Sequence, residues 1–315
     1  MSELEAIVAV YSYYLPEIRR LIDGVVNPFP HHVFLQSVKP GLDDFHVPII
    51  DKYIEFHGES VSALKDFPWK YPTAGSSEGI FHYISMLAAQ GTKQIYVLEG
   101  EYEGYSEYAK ALGMETVEVD LEETDPRKLE SGMWFISNPS ARDGNIIPNA
   151  VIDNICDAGH KVFYDLAYLG MTRPNTFNLG HENIVAAVVS LSKPYGLFYY
   201  RVGFTFSRQE IPSLYANKWF KGILPLMIAE RITEGLGPND VFNTYRPVQE
   251  QIIAGINKET GLGMLQSDAF LLGFIPKEAV PNLTEQQLQL VERFRRRDGY
   301  RFCLTPYYEQ LEKQQ

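Results

Sequence analysis

The pattern of hydrophobic and polar positions changes near residue 72. Before it, Ser2 and Glu5 have capping-box spacing, and Leu4, Ile7, Val8 and Tyr11 share one helical face. This predicts a helix that Pro16 kinks or restarts and Gly24 ends. Residues 25 to 72 mix proline, histidine and aromatic residues without a period and read as an irregular segment crossing the surface. From Pro72 onward, helices expected at 76–90 and 105–112 alternate with strands at 94–98 and 116–119. The buried runs 133–136, 162–164 and 185–191 continue the alternation, with a helix at 150–158 between the first two. Apolar runs separated by helices predict a mostly parallel sheet covered on both faces, an α/β core.

After Arg208 the pattern is helical over 213–234, interrupted at Pro225, and again over 241–258. A strand at 269–275, a helix after Thr284 with Gln287 completing a capping box, and a strand at 301–304 suggest a small α+β tail.

Composition narrows the partners. The 315 residues are 45% hydrophobic and 22% charged, as in ordinary globular proteins. A net charge of -12 argues against nucleic acid and against an anionic membrane surface. Cys156 and Cys303 are too few for a disulfide framework and lack zinc-ligand spacing, which fits a reducing cytoplasm. No stretch approaches the ~20 apolar residues needed to cross a bilayer, and the opening Met1–Glu5 lacks a secretory signal pattern. The adjacent His31 and His32 have no supporting ligands, so no metal is assigned.

The most informative stretch runs from Ser190 through Ser192, Lys193, Gly196, Leu197 and Arg201 to Gly203. A lysine just past a buried strand can face the crevice at the strand's carboxyl end, where α/β sheets bind ligands. Such a lysine can form a Schiff base. An isolated lysine after a strand is usually solvated, so the spacing of its neighbours has to decide.

That spacing meets every fixed position of S-x-S-K-x-x-G-L-x-x-x-R-x-G, the lysine segment of the class I/II aminotransferases of pyridoxal phosphate (PLP) fold type I, which this chain resembles. The resemblance implies that Lys193 carries PLP as a Schiff base and then moves the substrate proton, while Ser190 and Arg201 hold the phosphate. A buried run at 162–164 leads into Asp165, placed to keep the cofactor's ring nitrogen protonated. The family's D-x-A-Y ending puts the ring-oxygen partner at Tyr168. Gly75, Ser76 and Ser77 open a helix whose free N–H groups suit a phosphate. Leu98 to Tyr105 is similar to the family's P-x-Y-x-x-Y turn, which makes Tyr102 the residue stacked on the ring.

Residues 138 to 144 depart from the family's N-P-x-N-P-x-G. Ala141 replaces the second asparagine and Arg142 the second proline, leaving Asn138 or Tyr168 to meet the ring oxygen. Residues 299–305 resemble the strand whose arginine clamps the substrate carboxylate, which assigns Arg301, while Arg295 to Arg297 read as a solvated helix end.

The resemblance implies a seven-stranded, mostly parallel sheet flanked by helices, with a reduced small α+β domain. The expected large PLP-binding domain is 45–245, with 1–44 and 246–315 forming the small domain. It also implies a homodimer that transfers an amino group between an amino acid and a 2-oxo acid. A PLP-dependent lyase, cyclase or other specialised amino-acid biosynthetic enzyme, motivated by Ala141, Arg142 and the short C-terminal domain, and a catalytically silent PLP-binding protein are the alternatives.

Overall fold

A seven-stranded sheet lies at the centre of the computed structural model, which describes residues 4–12, 15–37, 43–218 and 222–314. Ahead of the sheet come α1 (Pro16–Val26), α2 (His31–Ser37), α3 (Asp43–Phe56) and the short β1 (Val61–Ser62). The core then runs β2 (Trp69–Thr73), α4 (Ser76–Ala89), β3 (Gln94–Leu98), α5 (Glu103–Ala111), β4 (Glu115–Val119) and β5 (Met133–Ser137). It continues through α6 (Asn149–Asp157), β6 (Lys161–Leu166), the short β7 (Phe177–Asn178), β8 (Ile184–Ser190) and β9 (Gly203–Ser207). Helices α7 (Pro212–Asn217), α8 (Ile223–Gly235) and α9 (Asp240–Thr260) lead to a second, four-stranded sheet. That sheet contains β10 (Leu265–Gln266), β11 (Leu272–Ile275), β12 (Arg295–Arg296) and β13 (Gly299–Cys303), with α10 (Glu285–Val291) before β12 and α11 (Thr305–Gln314) after β13.

The order in the large sheet is β2-β9-β8-β6-β5-β3-β4. Neighbours from β8 to β4 pair in parallel, and β9 runs antiparallel to both β8 and β2. Every residue of β5 is buried, and β6 is buried from its second residue onward, because helices cover both faces. Two apolar clusters result. One is built on Trp134, Tyr164 and Val189, the other on Phe135, Phe163 and Val188, as alternate side chains of the same strands point to opposite faces. The mostly parallel α/β sheet expected from the apolar runs is present.

Three expectations need correction. Residues 4–12 contain no helix: Ile7 forms an antiparallel bridge to Cys303, and the helix starts at Pro16. Pro16 is therefore an N-terminal helix residue, which suits its fixed φ and missing N–H. Ser2, the expected cap, lies outside the described residues. Segment 25–72 carries helices α2 and α3, whose pattern was masked by proline and histidine; α3 holds Pro48 and still packs Ile49, Ile50 and Tyr53 into the core. Arg295–Arg297 is no solvated helix end. Arg295 and Arg296 form β12, and Arg297 turns the chain with φ 54° while pairing with Glu99 and with Asp120. The capping box at Thr284 and Gln287 is formed as expected.

Candidate active site

The carboxyl ends of β5, β6 and β8 open onto a cavity of about 340 Å³, contributed to by Ser137, Asp165 and Ser190 respectively. Ligands in open α/β sheets bind at this end of the strands. Ser76, Ser77, Tyr102, Tyr168, Lys193, Arg201 and Arg301 line the same cavity, so residues from six separate segments meet there.

Lys193 lies three residues past the end of β8, with its Nζ 4.3 Å from the centroid of the Tyr168 ring. Asp165 is buried near the end of β6. Its Oδ2 accepts from the Tyr105 hydroxyl at 2.8 Å and its Oδ1 from the Ala167 N–H at 2.9 Å. Burial pushes its carboxyl above the ordinary value, while the Lys193 ammonium, the Tyr105 hydroxyl and the Ala167 N–H favour the charged form. The result is a desolvated acid with two fixed donors and a cation nearby.

A second cluster lies where β2 passes into α4. Gly75 has φ 79°, and a Cβ built on it would stand 3.0 Å from Arg201 Nη2 and 3.5 Å from Ser190 Oγ. Only glycine leaves this concavity open without strain. Arg201, itself at φ 52°, donates from Nη2 to the Ala74 carbonyl and to Ser77 Oγ, both at 2.8 Å. Ser190 Oγ accepts from the Ser192 N–H at 3.2 Å, and the buried Ser192 Oγ has no hydrogen-bond partner among the described residues. A guanidinium, small hydroxyls and the start of a 14-residue helix around one glycine-lined hollow fit a phosphate group.

Arg301 reaches the cavity from β13 and is 5% exposed. It donates from Nη2 to the Val8 carbonyl at 2.8 Å and from Nη1 to the Ala141 carbonyl, while its Nε has no partner among the described residues. Burial pulls its pKa down, as expected for a cation whose bonded partners are neutral. Tyr102 stands edge-on to Tyr105, with ring centroids 5.3 Å apart.

Asn138 does not face the cavity. Its amide nitrogen donates to the Ile147 carbonyl and the Tyr164 hydroxyl, and its oxygen accepts from the Ile147 N–H. The side chain is used up in holding the loop after β5, so Tyr168 is the sequence-assigned ring-oxygen partner left on the cavity wall. Sequence reasoning also missed Glu101, a buried acid on that wall, and the N-terminal stretch that brings Ala9 and Val10 there. Glu101 stands beside the Tyr102 turn, but one acid in an acid-rich turn carries no signal of its own.

The family described as Aminotransferase class I and II matches residues 69–232, more than half of the chain. An aspartate aminotransferase double mutant from Thermus thermophilus has a similar structure, with a TM-score of 0.71 and 16% identity over 99% of this chain and 90% of that one. A histidinol-phosphate aminotransferase from Sinorhizobium meliloti, in complex with pyridoxal-5'-phosphate, matches with a TM-score of 0.66 and 14% identity over 96% and 90%. An L-threonine-O-3-phosphate decarboxylase from Porphyromonas gingivalis matches with a TM-score of 0.66 and 12% identity over 98% and 96%. At such identities the likeness is one of fold. No curated protein matches the chain by sequence. With the matched segment reaching from β2 into α8 and spanning Lys193, the chain belongs to the class I and II aminotransferase family, whose cofactor is pyridoxal phosphate.

Proposed function

We propose that this protein transfers an amino group between an amino acid and a 2-oxo acid, with PLP held covalently at Lys193. The observation that carries the reading is the meeting, in one cavity, of Lys193, Asp165 and Tyr168 with Arg301, a buried guanidinium bonded, among the described residues, only to neutral carbonyls.

The cofactor supplies an aldehyde that captures the amino group and a ring that withdraws electrons from the carbon bearing it. Gly75, Ser76, Ser77, Ser190 and Arg201 would hold its phosphate. Tyr102 would cover one face of its ring, and Tyr168 would donate to its ring oxygen. Asp165 would keep a proton on the ring nitrogen, since a buried carboxylate gains most from a cationic partner. Arg301 would bind the substrate carboxylate with its forked donors and so fix the Cα–H toward Lys193. Lys193 Nζ, released by the incoming amine, would then take that proton from Cα and return it to the carbon on the other side of the amino nitrogen.

A lyase or cyclase is the second reading, supported by Ala141, which offers no amide toward the ring oxygen. The catalytically silent alternative remains the third. The reading includes a homodimer, for which Tyr199, 91% exposed beside the cavity-lining Phe198, offers an apolar surface.

The test is the visible absorption of the PLP-loaded protein, wild type and Lys193→Ala. A Lys193-dependent band that bleaches with an amino acid and returns with a 2-oxo acid supports aminotransfer. Bleaching without return favours the lyase, an unresponsive band favours the silent protein, and absence of a band sinks all three.

A further inference from the structure

The backbone of one residue, Ala141, links an acidic and a basic side chain on the cavity wall. The Ala141 carbonyl accepts from Arg301 Nη1, and the Ala141 N–H donates to Glu101 Oε2 at 3.1 Å. The remaining partners of the Glu101 carboxyl are the Ser137 and Ser140 hydroxyls, which are uncharged. A serine hydroxyl donates to a carboxylate and accepts from a carboxylic acid, so this site can hold Glu101 in either protonation state. Glu101 is 7% exposed, and what remains exposed borders the cavity.

The charges around it are unequal. Asp143, in the loop after β5, raises its proton affinity, and Tyr105 on α5 and Arg301 on β13 also sense its charge. Of the other cations lining the cavity, Arg296 is paired with Glu103 and Arg201 is bonded to Ala74 and Ser77. Lys193 stands over Tyr168 and acts on Asp165. Arg301 is thus the cation tied most directly to Glu101.

An anion drawn to Arg301 enters a cavity whose wall Glu101 shares. Two carboxylates in a desolvated site repel, whereas a carboxylic acid donates a hydrogen bond to a carboxylate. We infer that Glu101 is a second binding residue for the substrate carboxylate, acting as the neutral acid and taking up one proton from water each time a carboxylate binds at Arg301. The proton returns to water when the carboxylate leaves. Burial already lifts the Glu101 carboxyl to about 7 despite its three donors, so the uptake falls in the physiological range. The inference rests on the reading of Arg301 as the carboxylate-binding group.

Titration calorimetry of the PLP-loaded protein with 3-phenylpropionate, which has no amino or keto group to react, tests it. Run in two buffers of different protonation enthalpy, it reads both Kd and protons taken up. In wild type we expect Kd to rise about tenfold between about pH 6 and about pH 8, with uptake approaching one proton at the upper end. In Glu101→Gln, Kd should be nearly independent of pH and the uptake lost. A wild-type slope and uptake retained in Glu101→Gln would overturn the inference while leaving the Arg301 reading intact. Undiminished binding by Arg301→Gln would remove that reading and the inference with it. Should Glu101→Gln not fold, Glu101→Asp carries the test: a displaced midpoint of uptake supports the inference, and an unchanged one overturns it.

Discussion

The Tyr105 hydroxyl donates to Asp165 Oδ2 at 2.8 Å, fully inside the protein, so the acid assigned to the cofactor's ring nitrogen is itself held by a residue from α5. This bond pulls the Asp165 pKa down against burial. Tyr105→Phe removes it, raises the Asp165 pKa, and lets Asp165 become neutral at higher pH. The acid limb of the pH–rate profile should therefore move upward. A hydrogen bond to a charged group is worth ~1.5–3 kcal/mol, so kcat should fall roughly tenfold or more if that stabilisation is felt in the transition state.

Arg301→Lys keeps the charge and loses the fork. We expect KM for the amino acid and for the 2-oxo acid to rise roughly ten- to hundredfold, with a smaller change in kcat, because the lost contact holds the substrate rather than the reacting atoms. Steady-state kinetics for both half-reactions check this. Equal KM values would show that the carboxylate binds elsewhere.

Gly75→Ala places a methyl against Arg201 at a backbone φ of 79°. The strain is on the order of 1 kcal/mol or more. The variant should fold with a lower Tm and bind PLP about tenfold or more weakly, as read by equilibrium dialysis, because the methyl enters the hollow assigned to the phosphate.

Glu101 makes stability depend on pH. Its folded pKa, about 7, lies above the ordinary 4.5. The folded state therefore binds more protons than the unfolded state between these values, and stability present below about pH 4.5 is lost as pH rises through about 7. The full loss is up to about 3 kcal/mol. Glu101→Gln should remove this slope and melt higher than wild type at about pH 8 in the cofactor-free protein. Thermal unfolding across pH checks it, and parallel curves for the two proteins would show that Glu101 is not the group responsible.

Much of the core and the lysine segment was legible from the sequence because both are local. A buried parallel strand shows as a short apolar run, so 94–98 and 133–136 could be read directly, and the spacing from Ser190 to Gly203 is a property of one continuous segment. Helix α3 was hidden because Pro48 and His46 break the pattern that Ile49, Ile50 and Tyr53 complete only when packed. The N-terminal segment deceived for a related reason. Leu4, Ile7, Val8 and Tyr11 suit a helical face, yet pairing with Cys303 holds Ile7 extended, and that partner is almost three hundred residues away.

The candidate site divides in the same way. Sequence alone marked Lys193, Asp165, Tyr168 and Arg301, because each stands in a recognisable local string. It could not show that Asn138 spends its amide on Ile147 and Tyr164, or that Glu101 lies on the cavity wall joined to Arg301 through Ala141. Hydrogen-bond partners and desolvation depend on what distant segments bring together, and a carboxyl becomes a group that titrates near neutrality only when the fold has removed its water.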